Sequence, residues 1–430
     1  MKKIFLLLCF LIAFINVKAQ NLSNTEKKIV AYVNAHLPET KDLLVKTVNI
    51  NSGTLNIEGV KKVGAIYSAE LEKAGLKSEW ISLPDSLQRA GHLVATKKGT
   101  EGKRIFIIGH LDTVFEPNMP ANNWTMLNDS TATGQGAIDM KGGDVVVIAA
   151  LQALKNLGLL NNASITVYFT GDEERAGLPI SVSRKDFITR AQQCDVALGF
   201  ETAMGINTVT IARRGASGWT LNVTAKTGHS QGVFSTNSGY GAIYESARIL
   251  NDFRLQLSSE KYLTFNPGLI VGGSEMNYDA DKAQGDAIGK TNIISPTVTV
   301  VGDLRFLTEE QKETAREKMK AIVANNLNGT KATISFSDGI PEMAPKEGNN
   351  RLLAIIDSIS QDMGISKTVA GDPGSRGAGD ISYIAKHVDC IDGLGSSGKG
   401  AHAAGETINL KEFPYLIQRA AILIYRLTQN

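Results

Sequence analysis

Short apolar runs alternate along the chain with longer stretches whose apolar positions recur every three or four residues, the two signatures of buried strands and one-sided helices. His92-Leu93-Val94-Ala95-Thr96, Arg104-Ile105-Phe106-Ile107-Ile108, Ser164-Ile165-Thr166-Val167-Tyr168-Phe169 and Asp195 to Phe200 predict strands. From Thr25 to Gly75 the spacing is helical, and Gly75 after Leu71-Glu72-Lys73-Ala74 marks a helix stop. Val145 to Leu157 predicts a further helix packed on one face. Strands alternating with helices predict an α/β fold, a mostly parallel sheet sandwiched by helices.

Past Arg214 the period changes. Trp219-Thr220-Leu221-Asn222-Val223-Thr224 alternates, a helix follows from about Gly241 to Phe253, and Val298 to Phe306 alternates again. A second helix over Glu309 to Asn325 and a strand over Lys331 to Phe336 complete a β-α-β-β-α-β unit, a small ferredoxin-like α+β domain inserted in the larger one. A helix from Asn350 to Met363 follows. The division expected is a catalytic domain in two parts, 20–213 and 342–430, with the insertion at 214–341. No internal repeat or heptad run is present.

A length of 430 residues suits two cores. Lys2-Lys3, the apolar stretch Ile4 to Ile15, and Val17-Lys18-Ala19 form the three parts of a secretory signal at 1–19, so an exported protein, periplasmic or secreted, is expected. That apolar stretch is short for a membrane span, and no later uncharged run matches it. Cys9 lies within the greasy part, which disfavours a lipid anchor. The formal net charge of +2 becomes −1 when Lys2, Lys3 and Lys18 leave with the signal. A near-neutral protein has no electrostatic footprint for nucleic acid. Cys194 and Cys390 then remain, without zinc-site spacing; an exported protein could pair them, and they read as buried apolar residues.

The chemistry gathers where apolar runs end. Gly109-His110-Leu111-Asp112-Thr113 closes one strand, and the alternation of side chains puts His110 and Asp112 on one side, one able to bind metal and the other to accept the free ring N–H. A core histidine beside a helix-capping aspartate has the same sequence. Gly171-Asp172-Glu173-Glu174 follows another strand; adjacent carboxylates diverge, so one suits a metal and the other a general base, although a solvated turn looks alike. Asp139 lies in Gly136-Ala137-Ile138-Asp139-Met140-Lys141-Gly142-Gly143 just ahead of a helix, Glu201 ends a strand, and His402 sits among the small residues of Gly400 to Glu406. Gly134-x-Gly136 lacks the third glycine and the leading strand of a dinucleotide loop.

In order and spacing, His110-Leu111-Asp112-Thr113-Val114, Asp139-Met140-Lys141-Gly142-Gly143, Asp172-Glu173-Glu174, Glu201-Thr202 and Ala401-His402 resemble the co-catalytic di-zinc exopeptidases, the family of glutamate carboxypeptidase, the aminoacylases, succinyl-diaminopimelate desuccinylase and peptidase T. The resemblance covers nearly the whole chain beyond the signal. It implies two zinc ions per subunit, with Asp139 bridging, His110 and Glu201 completing one site, and Glu174 and His402 the other. It makes Glu173 the base for a metal-bridging water and Asp112 the orienting partner of His110. Charge counting agrees, since two zinc ions are balanced by three carboxylates and one hydroxide.

The insertion carries further matches. Gly228-His229-Ser230 resembles the family's lid histidine, which reaches a partner subunit's site to stabilise the oxyanion, and so implies a homodimer through the inserted domain. Asn292-Ile293-Ile294-Ser295-Pro296 and Asp303-Leu304-Arg305 resemble the stretch whose asparagine and arginine hold the substrate, the arginine gripping a carboxylate; a surface charge on an edge strand is the bland reading of Arg305. Gly371 to Asp380 leads toward a helix but lacks the ending of a phosphate loop, and in relatives the equivalent turn borders the substrate, which makes Arg376 a second carboxylate binder. Ile340 stands before Pro341, where glutamate-releasing relatives carry an arginine, so the resemblance does not by itself imply glutamate specificity, while Arg305 and Arg376 still imply a free carboxylate on the substrate.

The resemblance implies a metallo-exopeptidase of carboxypeptidase type, acting on a peptide or N-acyl amino acid substrate. An N-acyl amino acid amidohydrolase or dipeptidase with the same site is the near alternative. A non-catalytic binding protein on the same fold is the distant one, and it would be expected to lack a ligand or the base.

Overall fold

The computed structural model describes residues 21–280 and 282–429. The signal read at 1–19, with Cys9, lies outside the described residues. The helical N-terminal stretch is three helices, Asn24–Ala35, Leu37–Val48 and Ile57–Lys73. The first starts at a capping box, in which the Ser23 hydroxyl accepts the Glu26 N–H and the Glu26 carboxylate accepts the Ser23 N–H. The third ends where expected, with Gly75 in the left-handed region at φ 84°.

The central sheet runs in the order Lys77–Ile81, His92–Lys97, Ala163–Thr170, Glu101–His110, Val196–Gly199, Asp389–Ile391. Its last four strands are parallel to one another, while His92–Lys97 pairs antiparallel with both of its neighbours. The helices Lys141–Asn156 and Phe413–Thr428 pack on it through a continuous apolar core. Two strands were not foreseen. Lys77–Ile81 is a half-exposed edge without a clean alternation, and Asp389–Ile391 is too short to show one. The last helix, also absent from the sequence reading, buries residues on most of its faces. Cys194 and Cys390 are both free and belong to the cluster around Phe106, Tyr168 and Phe187; Cys390 is buried as read from the sequence, whereas Cys194 is only half-buried.

Residues 215–338 form a second, wholly antiparallel sheet, ordered Thr264–Gly273, Thr297–Phe306, Gly215–Ala225, Thr330–Asp338. The helices Gly241–Leu257 and Glu309–Ala324 close a separate core against it, built on Trp219, Leu221, Phe253, Val300 and Met319. The sequence reading lacks Thr264–Gly273, whose alternation is broken by Pro267 and by a register shift between Pro267 and Leu269, and the hairpin Glu275–Asp279/Gln284–Ile288. Chain entry and exit run side by side, since Arg213 and Met343 exchange main-chain hydrogen bonds of 2.9 and 3.0 Å. Among the described residues no helix is long and apolar enough to cross a membrane.

Candidate active site

Three adjacent parallel strands deliver acids and a histidine to one end of the sheet. Glu101–His110 ends on His110, Ala163–Thr170 runs into Gly171 to Glu174, and Val196–Gly199 stops two residues before Glu201. The carboxyl ends of a parallel sheet are where side chains from separate strands converge on a crevice. Asp139 arrives from the loop before Lys141–Asn156, and His402 from the turn joining Gly398–Lys399 to Thr407–Asn409. His402 holds φ at 67°, an uncommon conformation for a side-chain-bearing residue and one concentrated at functional sites.

Two triads result, His110/Asp139/Glu201 and Asp139/Glu174/His402, each with ligand atoms within 4.8 Å of one another. Asp139 is common to both. Its Oδ1 lies 3.3 Å from His110 Nε2 and its Oδ2 lies 3.1 Å from His402 Nε2, so its two oxygens face opposite ways. His110 Nε2 is 3.6 Å from Glu201, and His402 Nε2 is 3.2 Å from Glu174. The buried Oε1 of Glu174 has no hydrogen-bond partner, an acceptor left for a cation. Imidazole and carboxylate donors in this arrangement fit two divalent metal ions.

Proton affinities report how much negative charge is packed here. Burial works against the charged form of His110, yet the carboxylates of Asp112, Asp139, Glu201 and Glu173 hold its imidazole well above the usual range. Hydrogen bonds to Asp139 and Glu174 push His402 up to about 11. Burial raises Glu173 well above a normal carboxyl, helped by Glu201, and burial together with Asp139 lifts Glu201 to about 7. Asp139 goes the other way, because the hydrogen bonds from His110 and His402 outweigh its burial. Protons thus stabilise the cluster, and cations bound here would displace them.

Asp112 touches His110 through both its main chain and its carboxylate. The His110 Nδ1–H donates to the main-chain carbonyl of Asp112 at 3.0 Å, while the nearer carboxylate oxygen is 3.5 Å away. The carboxylate is already engaged by the Thr54 hydroxyl at 2.6 Å and by the N–H groups of Glu173 and Glu174 at 3.0 and 3.1 Å. It therefore fixes the backbone of the base and of a ligand together. From the other side, buried Arg184 clamps that loop, donating to Asp172 at 2.5 Å and to Asp380 at 2.8 Å. Glu406 plays the same part for Asp139, accepting the N–H groups of Gly136, Ile138 and Asp139 at 3.3, 2.6 and 3.1 Å. The sequence reading did not single out Arg184 or Glu406. Glu406 closes the small-residue run around His402, which was the available signal.

Other candidates stand apart. Arg305 lies on the second sheet and His229 and Asn292 on loops of the same inserted unit, and among the described residues no hydrogen bond or ion pair joins them to the two triads. His229 is exposed and pairs with Ile293, which places it beside Asn292. Arg305 sits at the other end of Thr297–Phe306, about 30 Å along a strand of that length, so it and Asn292 cannot grip one group within a single chain. That strand is interior rather than an edge, and Arg305 pairs with Asp303 at 2.8 Å. Gly371 to Asp380 contains 3-10 turns at Pro373–Ser375 and Asp380–Tyr383 in place of a longer helix, so no helix terminus faces a phosphate there.

Shared donor triads with a carboxylic acid beside them define a metal-dependent hydrolase. The model of peptidase family M20/M25/M40 matches residues 106–426, and the chain belongs to that family. It is 26% identical over 392 residues to carboxypeptidase G2 of Pseudomonas sp. (strain RS-16), covering 90% of this chain and 89% of that protein. It is 25% identical over 401 residues to succinyl-diaminopimelate desuccinylase of Psychrobacter arcticus, covering 89% and 93%. Its fold is similar to that of the Bacillus subtilis YXEP protein, a dinuclear metal-binding peptidase of the M20 family, at a TM-score of 0.64 and 13% identity over 92% of this chain and 99% of that one. The chain is a metallopeptidase or amidohydrolase.

Proposed function

We propose that the protein is an exported, zinc-dependent exopeptidase of carboxypeptidase type, hydrolysing the amide between a C-terminal amino acid and a peptide or acyl group. The observation that carries this reading is the pair of triads sharing Asp139, with Glu173 held beside them by Asp112. Two zinc ions, when bound, supply Lewis-acid polarisation of the scissile carbonyl and a more acidic water. Glu173 would accept a proton from water as its oxygen bonds to the scissile carbonyl carbon, and would return it to the amine as the C–N bond breaks. Arg305 binds the free carboxylate of the leaving residue as a bidentate partner, releasing Asp303.

Metal analysis with a panel of dipeptides, N-acyl amino acids and longer peptides tests the reading. Two zinc ions per chain are expected, with activity lost on chelation and restored by zinc. Full activity without metal would overturn it, and stoichiometric zinc without any turnover would point to a binding protein. The similarity to a desuccinylase favours a second reading, an N-acyl amino acid amidohydrolase or dipeptidase using the same site. The same panel separates the two by whether longer peptides are cut.

Residues 214–341 are further proposed to form a lid through which two copies dimerise. His229 Nδ1 accepts the Gln231 N–H at 3.2 Å, which leaves the Nε2–H to donate to an oxyanion in the other copy, with Asn292 beside it. His229→Ala and Glu173→Gln are each expected to be inactive alone. Co-expressed in equal amounts they should recover about a quarter of the wild-type activity, because half the dimers are mixed and each restores one site. No recovery, or an active strict monomer by light scattering, would remove this role.

A further inference from the structure

Three guanidinium groups gathered at the loop 374–377 hold nitrogens that are shut off from solvent and bonded to nothing among the described residues: Arg213 Nη2, Arg214 Nε and Arg376 Nε. Arg213, itself buried, is held by Asp392 at 2.6 Å and donates through Nη1 to the carbonyl of Gly377 at 2.9 Å, the residue after Arg376. Arg214 donates to the carbonyl of Gly374 at 3.0 Å in the same loop. Arg376 is half-buried and makes no ion pair or side-chain hydrogen bond among the described residues. A methyl group on Gly379 would stand 3.4 Å from Arg213 Cζ and 3.6 Å from Glu173 Oε1, so this corner opens on the base.

Two cations side by side, one without a counter-charge, are unfavourable unless an anion joins them. Burial and then the Arg213 charge draw Arg376 below its ordinary range, while Asp392, Glu201 and Asp139 oppose that. Glu201 and Asp139 are spent as donors once cations occupy the triads, so they do not serve as its partner. In the exopeptidase reading, Arg305 and the C-terminal carboxylate form a matched bidentate pair. The unpaired donors of Arg213, Arg214 and Arg376 therefore exceed what a single C-terminal carboxylate takes up.

Building on the exopeptidase reading, we propose that Arg376, backed by Arg213, forms a pocket for a second substrate carboxylate, so that the preferred substrates are acidic. That carboxylate belongs either to the acyl-side residue or to the side chain of the leaving residue. Hydrolysis of Glu-Ala against Gln-Ala, and of Ala-Glu against Ala-Gln, distinguishes the sources. In one of the two pairs the acid should exceed the amide at least tenfold in kcat/KM, and Arg376→Gln should bring that ratio to within about twofold. Ratios near one in both pairs, or a ratio that survives Arg376→Gln, overturn the pocket. Calorimetry on the zinc-loaded protein decides the matter even if no dipeptide is cleaved, which would count against the exopeptidase reading alone. Glutarate should bind at least tenfold tighter than butyrate to the wild type and lose that advantage in Arg376→Gln; equal affinities in the wild type overturn the proposal. Arg376→Lys keeps the charge and loses the fork, so partial retention of the glutarate preference is expected from it.

Discussion

Glu173→Gln is expected to lower kcat by about 10²- to 10⁴-fold, the range for loss of a positioned general base. The amide has the volume of the carboxyl but cannot take a proton from water. Glu173 belongs to neither donor triad, so the bound metal should stay at the wild-type level. Its main-chain N–H, which anchors Asp112, is untouched by the substitution. Burial already disfavours the charged carboxylate at this position, so exchanging it for a neutral amide should leave the melting temperature unchanged or raised. The expected result is thus a folded, metallated and nearly inactive protein. Activity within threefold of wild type would remove Glu173 as the base, and loss of metal would make it a ligand.

Much of this site was legible because local patterns place its parts. A strand that ends on His110, and another that runs into Glu173 and Glu174, can be read from a few residues, and both triads use residues named from sequence. What local pattern does not encode is who satisfies whom. The Asp112 carboxylate, expected to face His110, also takes the hydroxyl of Thr54, fifty-eight positions away, and the Glu173 and Glu174 N–H groups. Glu406 reaches the Asp139 loop across 267 positions, a contact no window contains. The same limit hid the separation of Asn292 from Arg305, since proximity in sequence says nothing until the intervening strand is known to be extended. The second sheet was readable in its alternating strands and lost where Pro267 breaks the alternation.

Asp139→Asn should do more damage than loss of any other single ligand, because Asp139 alone serves both triads. Its oxygens face His110 and His402 on opposite sides, and an asparagine offers one neutral oxygen and one N–H that would point at a cation. Zinc content is expected to fall from two per chain to below one, with hydrolysis lost to background. His402→Asn is the control, as it leaves His110, Asp139 and Glu201 intact and should retain one zinc. Stability gives a reading independent of turnover. A ligand that binds only the folded chain at about 100 times its Kd stabilises it by about 2.7 kcal/mol, so zinc should raise the wild-type melting temperature clearly and that of Asp139→Asn hardly at all. Without metal the variant also removes the carboxylate that sustains the raised proton affinity of both histidines. Each should then titrate closer to the ordinary imidazole range, which NMR of the ring protons can follow. Two zinc ions retained in Asp139→Asn, with a zinc-dependent rise in melting temperature like that of the wild type, would show that the centre does not depend on a shared carboxylate.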